Sequence, residues 1–415
     1  MTATTTYQVR TKSVPSPSEH GEIGLPKHWE IKKLGEICLT TSGGTPNRGN
    51  SRFYQGNIPW VKSGELDKGL ILDTEEKISE EAIKNSSAKI FPKGTLLIAL
   101  YGATIGKLAF LGIDAATNQA ICGIFKNEKI ESKYLYHFLF YKKPSLVKQG
   151  IGGAQPNINQ GILKNLNIPL PPLPEQQAIV AKIEALLSEL DNGKQQLLTA
   201  QQQLKVYRQS LLKWAFEGKL TNKHVKEGEL PEGWKMVKID EAALSLDNKR
   251  KPINKNERLS RMGTIPYYGA NGRVGWIDDY IFDEPLVCVV EDETFTGRTI
   301  PFSYKISGKT WVNNHAHVLK AKDNLNLDFL NYQLVHYPFL RLTTGTTGRK
   351  KLTKYALMNA PIKICTLKEQ QLIVDELESK LTVCDKIEET ISQSLLQAET
   401  LRQSVLKRAF EGRLV

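Results

Sequence analysis

The sequence predicts an α+β protein: two mixed α/β domains joined by two long antiparallel helices that form an intramolecular coiled coil, arranged as a pseudo-two-fold internal repeat. Three observations carry that prediction. One segment occurs twice, 194 positions apart. Both copies carry an apolar stripe at heptad spacing. The stretches between them alternate short β-type runs with glycine-rich turns, yet differ from each other in sequence.

The repeat sets the elements in order. IPLPPLPEQQAIVAKIEALL from Ile168 runs on to LLKWAFEGKL, ending at Leu220, and IKICTLKEQQLIVDELESKL from Ile362 runs on to VLKRAFEGRL, ending at Leu414. Glu175 thus corresponds to Glu369, Gln176 to Gln370 and Phe216 to Phe410, each 194 positions on. The openings also match, LPKHWEIKKL from Leu25 with LPEGWKMVKI from Leu230, now 205 positions apart, so the intervening regions differ by 11 residues. The predicted divisions are a leader over 1–22, a first head over 23–171, a helix over 172–220, a second head over 221–365 and a helix over 366–415. The leader is rich in Thr, Ser and Pro and lacks an apolar core segment, the composition of a disordered stretch rather than a signal peptide.

Pro171, Pro172 and Pro174 end a strand, and Pro174 suits the first turn of a helix. Beyond it Ile183, Leu190, Leu197, Leu204 and Leu211 recur every seven residues, with Leu186, Gly193, Ala200, Tyr207 and Trp214 three positions after each. In the second copy the first seam is Leu377, Cys384, Ile391, Ala398 and Val405. Its companion seam is mixed and includes Leu401, with Leu381 and Leu395 widening the stripe. Helices of about 40 residues would span roughly 60 Å, with Asn192 and Gly193 a local weakness in the first. Equal stripe lengths favour mutual pairing. Packing of each stripe on its own head, or pairing between molecules, fits the same spacing.

In the first head the runs at Pro59, Gly94 (GTLLIALYGATIGKLAFL) and Thr117 (TNQAICGIF) read as strands, with Leu96 to Leu100 buried and one helix over Ser132 to Tyr141. The second repeats the style with IPYYGANGRVGWIDDYIF at Ile265, a buried strand at Leu286 to Val290, WVNNHAHVLK at Trp311 and a helix over Leu327 to His336.

Several loops have the chemistry of nucleic-acid contact. In the first head they present Ser42, Gly43, Gly44, Thr45, Asn47 and Arg48, then Lys62, Tyr101, Gln155 and Asn157. Hydroxyls, amides and cations sit there on backbone that glycine lets approach closely, and the amides suit adenine's edge. The second head offers Lys249, Arg250 and Lys251, then Tyr268, Asn271, Arg298, Asn314 and His315, and finally Thr346, Arg349, Lys350 and Lys351. Basic side chains interleaved with glycine and hydroxyls suit phosphates. Any one of these loops could equally be a solvated turn. A net charge of +12 points the same way, toward a polyanion.

Other chemistries find no support. Gly102–Lys107 is one residue too short for a phosphate-binding loop, and no methyltransferase motif accompanies Pro171–Pro172. His315 and His317 have no further metal-binding cluster nearby in the sequence. Glu291, Asp292 and Glu293 could bind a metal ion, though a solvated turn or acceptors from cytosine's amino group are simpler readings. Five scattered cysteines form no CxxC pair, which disfavours zinc and disulfides and fits a reducing cytosol. No apolar run reaches the length of a membrane span.

The doubled LPxxW opening, the Glu-Gln-Gln helix start and the FEG[KR]L ending resemble the specificity subunits of type I restriction–modification enzymes, from about residue 25 to the end. The resemblance implies that the heads are target recognition domains, each reading one half of a split, asymmetric double-stranded DNA sequence, with the coiled coil fixing the gap. It implies a non-catalytic chain without cofactor or metal. Two methylation subunits would supply S-adenosylmethionine chemistry on adenine, and restriction subunits would use ATP and Mg. It also implies a prokaryotic cytoplasmic protein of phage defence. A stand-alone tethering protein, a self-contained methyltransferase or nuclease, and a methylation-only system are the competing readings.

Overall fold

A computed structural model describes residues 24–150, 157–222, 224–226, 228–293, 295, 298–345 and 350–415. The predicted leader, and Gln155, Thr346 and Arg349, lie outside the described residues. The chain divides into two compact units, Met1–Gln196 with Ser394–Val415, and Leu197–Gln393.

The first unit carries a five-stranded sheet in the order Thr40–Ser42, Ile121–Ile124, Leu96–Ala99, Leu108–Leu111, Leu70–Ile71. A four-stranded sheet runs Glu76–Ile78, Ile58–Val61, Ala115–Thr117, Ile90–Phe91. Strand Leu96–Ala99 is apolar throughout because it serves two cores. Leu96 and Ile98 pack toward helix Ser132–Gln149, while Leu97 and Ala99 pack into a second cluster with Val61, Phe91 and Ile121. The second unit repeats this with Leu286–Val290: Val287 and Val289 face helix Leu327–Leu334, and Leu286 and Cys288 face the other way. In both units a parallel pair lies in the second sheet, Trp60 beside Ala116 and Tyr267 beside Trp311.

Helix Ser132–Gln149 outruns its predicted end at Tyr141 and contains Pro144. The fully buried Leu146 holds the last turns down, so packing overrides the breaker.

The long helices are Leu173–Phe216 and Leu367–Phe410, 44 residues each. Within the first unit they run antiparallel: Asp191 pairs with Arg402, and three residues on Lys194 pairs with Glu399 at 2.5 Å, three residues back. Within the second unit Arg208 meets Asp385 at 2.6 Å and Glu388 at 3.0 Å, and the Phe216 carbonyl accepts from Lys363, just before the other helix begins. Ile183, Leu204, Leu211, Leu377, Ile391 and Val405 are buried, and Leu190 and Leu197 are half-buried.

The companion seam departs from the predicted one in part. Leu186, Gly193, Ala200, Lys380 and Ser394 are half-buried as expected. The stripe also takes in positions four residues after the seam, Leu187, Lys194, Gln201, Arg208 and Ala215 in one helix and Leu381, Leu395, Arg402 and Ala409 in the other. Tyr207, Trp214 and Leu401 are therefore exposed, Leu401 by 53%. Lys194, Arg208 and Arg402 fit the seam edge because a carboxylate on the facing helix meets each one.

Gly193 lies within an unbroken helix, and a methyl group there would touch nothing within 4 Å. Gly193→Ala is expected to raise stability by about 0.5–1 kcal/mol through reduced backbone entropy, read as a higher urea midpoint.

The repeated motifs form repeated locks. Each long helix opens with a buried glutamine bridging three backbone groups. Gln176 Oε1 accepts from Glu131 N at 2.8 Å, and its Nε2 donates to Lys129 O and Pro171 O. Gln370 does the same with Asn326 N, Asn324 O and Cys365 O. The preceding glutamate accepts from the tryptophan of LPxxW at 3.0 Å, Glu175 from Trp29 and Glu369 from Trp234. Sequence reasoning saw these residues repeat without seeing that they touch.

Candidate nucleic-acid interface

In each head, backbone hydrogen bonds gather loops from distant parts of the sequence onto one rim. In the first, Gly43 N donates to Ile121 O (3.1 Å) and Gly44 N to Thr117 O (2.9 Å). Leu100 N donates to Ala120 O (2.8 Å), Ile158 N to Leu100 O (3.0 Å), and Asn118 N to Val61 O (3.0 Å). Tyr101 bridges Asn157, and Gln160 Nε2 donates to Ser42 Oγ at 2.6 Å. The predicted residues Ser42, Thr45, Lys62, Tyr101 and Asn157 are thereby drawn to one edge, and Tyr101 and Asn157 are exposed.

Two of the predicted contacts have another task. Gly43 and Gly44 are buried, and a Cβ on either would lie 2.1 or 2.3 Å from its nearest neighbour, in residues 117 and 87. Their missing side chains let neighbouring backbone segments close on each other. Arg48 is exposed and paired with Glu76 at 2.5 Å, its guanidinium 4.4 Å from the Tyr54 ring and 4.9 Å from that of Trp60. Lys62 meets Glu75 at 2.7 Å and Glu76 at 3.1 Å. The hydrogen bond from Arg48 holds the Glu76 carboxyl below its ordinary range. A phosphate would have to compete with these carboxylates for both cations. Asn47 caps the next turn, its Oδ1 accepting from Gly49 N at 2.9 Å.

The second rim is built alike. Glu291 N donates to His315 O (3.0 Å), Leu352 N to Glu291 O (2.7 Å), and Asn313 N to Tyr268 O (3.0 Å). Lys350 and Lys351 pair as a short strand with Asp292 and Glu293. Lys249, Lys251, Asn271, Asn314 and His315 are exposed, and His315 Nδ1 lies 2.6 Å from Asp292 Oδ1. Tyr268 stacks on Tyr304, whose hydroxyl donates to the Gly269 carbonyl and whose burial pushes its phenol upward. Arg298 donates to Pro301 O at 2.8 Å and lies over Phe302.

Arg250 departs from its predicted role. Its side chain is only 12% exposed and lies 2.5 Å from Glu291, 3.3 Å from Asp247 and 2.8 Å from the Ala316 carbonyl. His317 completes this cluster, Nδ1 at 2.6 Å from Asp247 and Nε2 at 2.8 Å from Leu352 O. The fold therefore brings Asp247 and Glu291, distant in sequence, to His317, a set whose donor atoms could hold a metal. Those atoms already face Arg250, and Lys351 adds a second cation 3.1 Å from Glu291. The donor set is matched by protein cations, so the arrangement is a buried ion-pair network supporting the rim. Among the described residues, no helix is long and apolar enough to cross a membrane.

Comparison with known proteins agrees with this architecture. The family model described as the type I restriction modification DNA specificity domain matches residues 26–200 and 231–397. The chain is 24% identical over 420 residues to the type I restriction enzyme StySPI specificity subunit of Salmonella potsdam, covering 94% of this chain and 90% of that one. It is 33% identical over 181 residues to the MjaIX specificity subunit of Methanocaldococcus jannaschii, covering 42% of each. That match, and one with the EcoR124I/EcoR124II subunit of Escherichia coli, span 42% and 48% of those relatives' lengths. A solved chain from work on complex assembly and conformational transition of the type I R-M system superposes with a TM-score of 0.73 at 21% identity, over 94% of this chain and 99% of that one. The HsdS subunit from Thermoanaerobacter tengcongensis gives 0.64 at 20%, over 95% and 99%. Both structures carry the fold alone. With both of its halves matched by the family model, the chain belongs to the family of type I restriction–modification DNA specificity proteins.

Proposed function

We propose that this chain is the sequence-reading subunit of a type I restriction–modification enzyme and performs no chemistry itself. Each head reads one half of a bipartite, asymmetric target in double-stranded DNA. The paired helices set the spacer between half-sites and dock two methylation subunits, which transfer methyl groups from S-adenosylmethionine to adenine. Restriction subunits, where present, bring ATP and Mg chemistry, and the complex works in the prokaryotic cytoplasm. One observation supports this above the rest: two heads unlike in sequence stand on a repeated scaffold, each gathering polar, basic and aromatic loops onto one rim.

The test exchanges residues 231–361 for the second head of another family member and maps methylated adenines across a host genome. One half-site is expected to change while the other and the spacer stay as they were. Retention of the original pattern, or loss of both half-sites with the protein folded, refutes the modular reading. The set Ser42, Thr45, Asn47, Arg48, Lys62, Tyr101, Asn157, Lys249, Lys251, Tyr268, Asn271, Arg298, Asn314, His315, Lys350 and Lys351, with Gln155, Thr346 and Arg349 outside the described residues, remains the proposed DNA-facing surface.

A further inference from the structure

We infer that Gln119 determines one base of the first half-site, and that Asn314 is its counterpart in the second head. The inference rests on the proposal that the heads read DNA and adds which side chains do the reading. Gln119 stands outside the residues that sequence reasoning picked, because its equivalence to Asn314 follows an offset of 195, which neither the helices nor the openings share.

Hydrogen bonds establish the equivalence. Asn118 N donates to Val61 O and Asn313 N to Tyr268 O, each at 3.0 Å and each on the parallel neighbouring strand. The Asn118 side chain accepts from Ala120 N at 3.2 Å, and that of Asn313 from His315 N at 2.8 Å. The carbonyls of Ala120 and His315 then accept from Leu100 N and Glu291 N, at 2.8 and 3.0 Å. Three bonds of one pattern thus pin the backbone on both sides of a single residue. In both heads that residue is an exposed amide.

An amide offers an acceptor and two donors on one edge, the complement of adenine's N6 and N7 in the major groove. The Thr45 hydroxyl donates to Gln119 Oε1, which fixes the amide and leaves its Nε2 donors unspent. A side chain so placed on rigid backbone needs little further ordering to bind. The ligand class is an adenine–thymine pair, one in each half-site.

The experiment uses the full chain with its methylation subunits in a host without other adenine methylation, mapping methylated sites for wild type, Gln119→Glu and Asn314→Asp. Both substitutions keep shape and remove donors. Gln119→Glu is expected to lower methylation about tenfold or more at sites carrying the original base at one position of one half-site, leaving the other half-site read as before. Asn314→Asp is expected to do the reverse. The untouched half-site reports that the variant is folded. A bipartite wild-type pattern that neither substitution alters overturns this inference alone, as does equal weakening of both half-sites. A wild-type pattern without two half-sites overturns the DNA-reading proposal and this inference with it.

Discussion

Arg250→Met is expected to lower the stability of the second unit by about 3–5 kcal/mol, the cost of removing one partner from a buried ion-pair network. At roughly 2–4 °C per kcal/mol for a unit of this size, the unfolding temperature falls by on the order of 10 °C. Asp247 and Glu291 are the reason, since their side chains are 7% and 9% exposed and would keep their burial after losing a cation. Burial alone would push both carboxyls up. In the native network His317 and Arg250 outweigh it and hold Asp247 down, and Arg250 and His317 do the same for Glu291. A carboxyl lowered on folding contributes stability above its unfolded pKa, about 4, and loses it as pH falls through the folded value. The wild type should therefore weaken only in acid below about pH 4. In Arg250→Met burial is less opposed and the loss should begin at higher pH. Circular dichroism melts of both proteins across pH 3–7 would show this. A variant that melts like the wild type and merely binds DNA with a flatter salt dependence would return Arg250 to the phosphate contacts.

That contrast marks how far the sequence could be read. Strand Leu286–Val290 was legible to the residue, since a run of five apolar side chains between turns has few other fates. The helix start, predicted at 172 and found at Leu173, was legible from its prolines, and the heptad period from Ile183 onward. The phase of the companion seam was legible only in part. Tyr207 and Trp214 look more apolar than Lys194 and Arg208, and only the carboxylates of the facing helix make the charged positions fit. Loop composition pointed to segments whose chemistry would suit DNA. It could not tell Arg250, which turns inward, from Lys249 and Lys251, which stay exposed, because Glu291 and His317 lie more than forty positions away. Gln119 was hidden for the same reason: its place depends on backbone bonds to Leu100 and Val61.

Two kinds of order are therefore superimposed in this chain. The residues that repeat in sequence, Gln176 with Gln370 and Glu175 with Glu369, lock helices to heads through matching bonds. The rims of the two heads share backbone hydrogen-bonding geometry and the amide positions Asn118 with Asn313 and Gln119 with Asn314, while most other side chains there differ. On the proposed modular reading, a new head would have to keep the tryptophan and the backbone groups that the glutamate and glutamine require.

Phe410→Ala is the second substitution with a large expected effect, about 3–5 kcal/mol against the first unit. Phe410 is almost fully buried and meets Tyr134 and Phe138 edge-on at 5.2 Å and Tyr141 stacked at 5.7 Å. It belongs to the last turn of the C-terminal helix, yet the core it completes is that of the head at the other end of the sequence. Two residues on, Gly412 has φ 69, and a Cβ there would lie 2.4 Å from Pro26. The second unit shows the same join made without a break in the chain, Phe216 against Phe329 at 5.2 Å and Gly218 against Pro231. Each FEG ending thus serves the head that follows it, and for the final copy that head is the first one. Hydrogen exchange should show protection in helix Ser132–Gln149 falling in Phe410→Ala while helix Leu327–Leu334 keeps its own. Equal loss in both helices, or none in the first, would mean that the C-terminal turn does not hold the first head together.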